Sequence, residues 1–183
     1  MLLPGVSGEA ATAARFAGHW TERTKSAAGS IVGQRIYEVR DVRPPDGVPG
    51  AVRQAGESDR DVVVEWVRGF HVAVGEKGGD VDELVDRRLP AGHLWLWEDR
   101  QAVSIAALSE PAADVVRVQA VYTPPEHRRH GYASACVAEL SSSALADGHR
   151  CIHYTDLGNP TSNSIYREIG YGAVSEGLTY SFT

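Results

Sequence analysis

The hydrophobic period changes along this chain, and the order of the changes leaves few folds open. From His93 to Thr123 three short runs, His93–Trp97, Gln101–Ser109 and Asp114–Thr123, have strand character, separated by the turn-forming segments Glu98–Arg100 and Glu110–Ala113. Connections this short predict antiparallel neighbours. Next, Ala133, Cys136, Val137, Leu140, Ala144 and Leu145 recur at helical spacing, which predicts a helix over Gly131–Ala146 closed by Gly148. A strand over Arg150–Thr155 follows. Asn159-Pro160 then supplies a cap and a first-turn proline, Ile165, Tyr166 and Ile169 form a helical stripe, and Gly170 ends it. One or two further strands are expected within Ala173–Ser181. A meander followed by strand, helix, strand predicts an α+β fold: a mixed sheet, mostly antiparallel with a central parallel crossover, flanked by helices. A ligand is expected where that crossover opens.

Upstream, Val63, Trp66, Val67, Phe70 and Val74 mark an amphipathic helix over Asp59–Glu76, and a shorter helix is expected over Asp80–Leu89, stopped by Pro90 and Gly92. Before these lie a small-residue helical pattern at Glu9–Arg23, a strand-like run at Gln34–Val42 and the Pro/Gly-rich stretch Pro44–Gly50, which has the composition of a linker. The expected organisation is therefore an N-terminal extension over residues 1–49 and a main domain over residues 50–183.

With 183 residues the chain can bury a full core. Its longest apolar stretches, such as Ala102–Leu108, fall far short of the roughly 20 residues that cross a bilayer, and the N-terminus lacks a signal-peptide pattern. No membrane association and a cytoplasmic location are the expectations. The net charge of −6 argues against nucleic acid as a partner. Cys136 and Cys151 are the only cysteines and have no C-x-x-C spacing, so both are expected as packed, reduced thiols. His93 and His153 have no metal-ligand spacing, and no metal is expected. Against this acidic background His127, Arg128, Arg129 and His130 form the densest cationic run, which suggests one focused anion site.

That run lies in Thr123-Pro124-Pro125-Glu126-His127-Arg128-Arg129-His130-Gly131-Tyr132-Ala133-Ser134, between a predicted strand and a predicted helix. The prolines stop the strand. Gly131 and Ala133 keep bulk away from the first helical turn, whose unpaired N–H groups and dipole attract phosphate. Arginines beside it add forked donors.

Here the residues resemble the GNAT acyltransferase superfamily, whose hallmark is Arg/Gln-x-x-Gly-x-Gly/Ala at a strand-to-helix junction; this chain reads Arg128-Arg129-His130-Gly131-Tyr132-Ala133. Asn159-Pro160-Thr161-Ser162-Asn163-Ser164-Ile165-Tyr166, running on to Gly170-Tyr171, is similar to the same superfamily's Asn-x-x-Ser/Ala-x-x-Ile-Tyr-x-x-x-Gly-Tyr/Phe segment. The resemblance covers about Gly50 to Thr183, strongly after Val115. It implies an N-acetyltransferase that uses acetyl-CoA as donor cosubstrate and acts on a primary amine of a small molecule or a protein. By the same resemblance, pyrophosphate lies on the amides of Arg129–Ser134, with Arg128, Arg129, His130, Gly131, Tyr132, Ala133 and Ser134 forming the loop. Backbone groups of Val121, Tyr122 and Thr123 pair with the pantetheine arm, Asn159 and Asn163 meet it, and Tyr166 approaches the sulfur. Tyr166 would protonate the departing thiolate, a strand amide near Val121 would stabilise the oxyanion, and the Tyr166 ring can pack in the core at the same time.

The strand Val115–Thr123 contains no carboxylate, although many relatives place a glutamate there. A water relay, Asp156, Glu65 or His71 are the candidates for the base, or the amine arrives neutral. Trp95, Trp97, Phe70 and Trp66 are expected in the core rather than in an acceptor pocket. A non-catalytic acyl-CoA-binding regulatory module is the alternative function. Gln34–Val39 with Val42–Pro45 resembles the closing strand of a preceding module in two-module relatives. Residues Met1–Val42 are accordingly expected to pack back on the main domain or to swap across a homodimer.

Overall fold

The change of period near Gly131 becomes the middle of a sheet in the computed structural model, which describes residues 3–75, 79–156 and 160–183, with backbone alone for Ser30 and residues 160–163. The elements are β1 (Gly5–Glu9), α1 (Ala10–Thr24), β2 (Ala28–Val39), β3 (Ala51–Gln54), α2 (Arg60–Val74), α3 (Val81–Arg88), β4 (Leu94–Asp99), β5 (Gln101–Leu108), β6 (Val115–Tyr122), α4 (Tyr132–Ala146), β7 (Arg150–Asp156), α5 (Pro160–Ile169) and β8 (Tyr171–Phe182). The strands form one eight-stranded sheet in the order β1-β8-β2-β7-β6-β5-β4-β3. The meander β4-β5-β6 is antiparallel, and β6 and β7 are the parallel pair at the centre, in register Val115↔Arg150 to Val118↔His153. The α+β class and its central crossover are as the sequence led one to expect.

Helices cover the two faces of this sheet unequally. Val63 and Val67 of α2 and Val85 of α3 bury against Leu94, Leu96 and Ile105. On the opposite face α4 and α5 pack Val137, Tyr166 and Ile169 over Val116, Val118, Tyr37 and Val39. The helix α4 is apolar nearly all round because it is sandwiched, and Cys136 within it is fully buried, which pushes its thiol up to about 12. Cys151 is buried and free as well. Trp66 and Trp97 belong to the core, and the Trp97 indole donates to the Pro49 carbonyl at 2.8 Å.

The first forty residues build more of the sheet than their sequence signals. The strand β1 goes unannounced, and β2 starts at Ala28 rather than Gln34, because the pairing is decided by β8 rather than by local propensity. A single twelve-residue β8 replaces the one or two shorter strands expected, and it is paired along both edges, to β1 and β2. Strand β2 is likewise paired on both sides, to β7 and β8, within the chain. The Pro/Gly-rich stretch before β3 is packed: Val48 lies against the α4 cluster.

Two positions lock the junctions that carry α5 and β7. Gly170, at φ 111°, links α5 to β8 so closely that an added Cβ would stand 2.2 Å from the Asp41 carbonyl oxygen. His153 is buried at the last parallel pair, where its Nδ1 donates to the Val118 carbonyl at 2.8 Å. Burial, reinforced by the Arg117 charge and opposed by that hydrogen bond, depresses the imidazole to about 4.

Gly170→Ala should therefore lower the melting temperature by about 5 °C or more, since it adds both left-handed strain and a backbone clash. An unchanged melting temperature would show that Asp41 yields freely. His153 also sets an acid limit. The unfolded imidazole takes a proton from near 6.5 downwards and the folded one only near 4, so folding stability falls as pH drops through that window, by on the order of 3 kcal/mol. Denaturant titrations should give a flatter profile between these pH values for His153→Gln than for the wild type.

Candidate functional site

Strands β6 and β7 stop pairing after Val118↔His153, yet both run on: β6 is held to β5 through Ile105↔Tyr122, and β7 to β2 through Gln34↔Asp156. Each is kept straight by its outer neighbour, so the two part and a cleft opens between them. A bulge sharpens the parting. Ala120 has φ 49°, and the β5–β6 register slips by one residue there. The extra residue reverses the alternation of side chains: Val116 and Val118 pack with α4, whereas Ala120 and Tyr122 pack with α2. Backbone groups of β6 beyond Val118 face the cleft in place of a neighbouring strand.

The end of β6 is pinned from below. Ser104, fully buried on β5, donates to the Tyr122 carbonyl at 3.1 Å and lies 2.9 Å from the Thr123 hydroxyl. After Pro124 a 3₁₀ turn, Pro125–His127, leads into Arg128. Arg129 and Gly131 are both left-handed, with φ 66° and 82°, and bend the chain sharply into α4. No side chain caps α4, so its first-turn N–H groups have no side-chain partner. An added Cβ on Gly131 would come within 2.8 Å of Val48, which explains why a glycine stands there. Arg128 donates from Nε to the Thr123 carbonyl at 3.0 Å and lies over the Tyr122 ring at 5.9 Å, leaving its terminal nitrogens for a ligand. The Tyr132 hydroxyl donates to Asp99 at 2.7 Å, and this bond raises its pKa.

The cleft has a volume of about 970 Å³, and its walls include Val121, Tyr122, Thr123, Arg128, Arg129, Gly131, Tyr132, Ala133, Ser134 and Tyr166. His130, the remaining member of the predicted loop, is exposed and stacks on Tyr132 at 5.5 Å without lining the cleft. Asn159 and the Asn163 side chain lie outside the described residues. Tyr166 reaches the cleft from α5 with its ring stacked on His153 at 3.8 Å and edge-on to Tyr171 at 5.6 Å. Tyr171 is held in turn by a 2.7 Å contact between its hydroxyl and that of Ser141. This packing fixes the orientation of the Tyr166 ring at the cleft.

Of the base candidates, His71 and Asp156 line the cleft, whereas Glu65 is exposed on α2 and is not among its walls. Phe70 lines it too. Sequence patterns alone did not single out His153, Arg88, Arg117 or Tyr154 as cleft residues; the alternation along β7, with Ile152, Tyr154 and Asp156 on one face, was the signal available for Tyr154. No group of three or more His, Cys, Asp or Glu able to hold a metal occurs among the described residues, and no helix among them is long and apolar enough to cross a membrane.

Comparison with known proteins agrees with this geometry. Residues 103–179, which hold β6, the loop, α4, β7 and α5, match the family described as FR47-like protein. No curated protein matches the chain in sequence. In fold it is similar to a GNAT-family protein from Novosphingobium aromaticivorans, with a TM-score of 0.64 at 17% identity over 86% of this chain and 66% of that one. An acetyltransferase from the GNAT family of Colwellia psychrerythraea has a TM-score of 0.70 at 12% identity, over 98% of this chain and 65% of that one. A GCN5-related N-acetyltransferase from Sphaerobacter thermophilus gives 0.67 at 16% identity, over 96% and 58%. The chain thus spans less than two thirds of the length of these proteins. With a mixed sheet that parts at one parallel pair and a glycine loop at the cleft, the chain shares the fold of these GNAT-family structures, and its residues 103–179 match the FR47-like family.

Proposed function

We propose that this protein is an acyl-CoA-dependent N-acetyltransferase that moves an acetyl group to a primary amine by direct attack in a ternary complex. The observation that carries this proposal is the convergence, in one cleft, of the unpaired β6 backbone beside the Ala120 bulge, the uncapped start of α4 and the packed Tyr166 ring. The amides from Arg129 to Ser134, with Arg128, would hold the pyrophosphate. Val121, Tyr122 and Thr123 would pair with the pantetheine arm as with an added strand. This lays the thioester beside the bulge, where a β6 amide stabilises the negative charge that develops on its carbonyl oxygen. The amine nitrogen attacks the carbonyl carbon, the carbon–sulfur bond breaks, and Tyr166 delivers a proton to the departing thiolate.

The second reading is an acyl-CoA-binding regulatory module without transfer activity. The absence of a carboxylate on Val115–Tyr122 is what favours it. His71 on α2 and Asp156 on β7 are the titratable groups from which a base would come if the enzyme uses one.

At a concentration of 100 times its dissociation constant, acetyl-CoA should raise the melting temperature by about 5–10 °C. No shift would remove both readings. Release of free CoA with a panel of amines separates the enzyme from the binding module. Tyr166→Phe should lower kcat by about 100-fold or more while the acetyl-CoA dissociation constant stays within about twofold. Unchanged turnover would remove Tyr166 from the mechanism.

A further inference from the structure

The wall of the cleft formed by α2, α3 and the facing side of β6 and β7 carries two arginines without an acidic partner among the described residues. Arg88 ends α3, is half-buried, and lines the cleft. Its side chain makes no hydrogen bond or ion pair among the described residues, although its own helix carries three carboxylates. Those are engaged or turned elsewhere: Asp86 and Asp82 accept from Arg60 at 2.6 and 3.3 Å, Asp82 also from Arg68, and Glu83 borders a separate, smaller hollow with Arg87. Arg117, on β6, points away from the α4 side that receives Val116 and Val118. It donates to the Gln119 side-chain oxygen and lies over the Tyr154 ring at 5.1 Å, both neutral partners. Burial disfavours the charge on Arg88, and the nearby charges of Arg87 and then Arg117 disfavour it further.

Withdrawing a guanidinium from water beside a second cation is unfavourable unless an anion completes the site. Planar forked donors suit a compact oxyanion. The loop over Arg128–Ser134, at the other end of β6, is already equipped for the donor's phosphates. We propose that Arg88 and Arg117 bind a carboxylate or phosphate group of the acceptor, so that the substrate is a small amine that also bears an oxyanion, such as an amino acid. This rests on the acetyl-transfer function above. The net charge of −6 over the whole chain would steer cations only weakly across solvent, whereas two cations inside the cleft act at contact distance.

The test is CoA release with the whole chain, acetyl-CoA and four classes of acceptor: amino acids, their carboxamides, O-phosphoethanolamine and spermidine. Amino acids should exceed their carboxamides in kcat/KM by about tenfold or more, as loss of a charged hydrogen bond implies. Preference for O-phosphoethanolamine would identify the oxyanion as phosphate. Equal use of acid and amide, or preference for spermidine, would overturn the proposal. Arg88→Gln should raise the acceptor KM by about tenfold or more, with the acetyl-CoA KM and the melting temperature unchanged. A rise in the acetyl-CoA KM instead would assign the pair to the donor, and a lower melting temperature would assign Arg88 to the fold; either overturns it. If no amine releases CoA, N-acetyl amino acids serve as probes in the presence of CoA. They should raise the melting temperature of the wild type but not of Arg88→Gln, and no rise in the wild type overturns the proposal. A melting shift with acetyl-CoA that survives any of these failures would leave the donor site standing.

Discussion

The cleft exists because two parallel strands each run on along an outer neighbour past the point where their own shared ladder stops. Between Val115↔Arg150 and Val118↔His153 the β6–β7 ladder is intact; beyond it β5 holds β6 and β2 holds β7. The buried His153 closes the ladder by spanning to Val118, and the bulge at Ala120 turns the free end of β6 away. Every group assigned to the donor follows from this parting. The vacated edge offers backbone hydrogen bonds, and the chain that leaves β6 must turn at once into α4.

The N-terminal strands acquire a purpose in that light. Strand β2 lies between β7 and β8, and it supplies the outer ladder that keeps β7 from following β6. It also supplies Glu38, whose buried carboxylate accepts from Arg150 at 3.0 and 3.1 Å and is held below its usual range by that pairing. The base of the parallel ladder, Val115↔Arg150, is thereby tied to the first forty residues. We propose that this segment, remnant or not, is part of the architecture that shapes the site.

Charge is arranged by contact rather than by sum. Most of the arginines with assigned partners pair with acidic groups, and two of them bridge: Arg53 joins Asp59 at 2.7 Å to Glu98 at 2.5 Å, and Arg60 joins Asp86 to Asp82. Arg128 and Arg117, by contrast, have a carbonyl, an amide oxygen and aromatic rings as partners, and the Arg88 side chain has none among the described residues. Their location along one cleft suits the proposed oxyanions on both substrates, and the same cleft holds His71 of α2 and Asp156 of β7, the proposed sources of a proton acceptor.

The meander, the crossover, the helix α4 and the loop Arg128–Ser134 were determined by the sequence itself, because each is set by local periodicity or by glycine and proline at fixed positions. So was Tyr166 as a residue of α5, since Ile165 and Ile169 fix its stripe. Long-range pairing decided the rest. Strand β1, the early start of β2 and the length of β8 depend on partners about 150 residues away, which no local period encodes. The bulge at Ala120 occupies a non-glycine residue and leaves no compositional mark. Arg88 and Arg117 belong to a helix end and a strand 29 positions apart in sequence, and only the packing of α3 against the sheet brings them into one cleft.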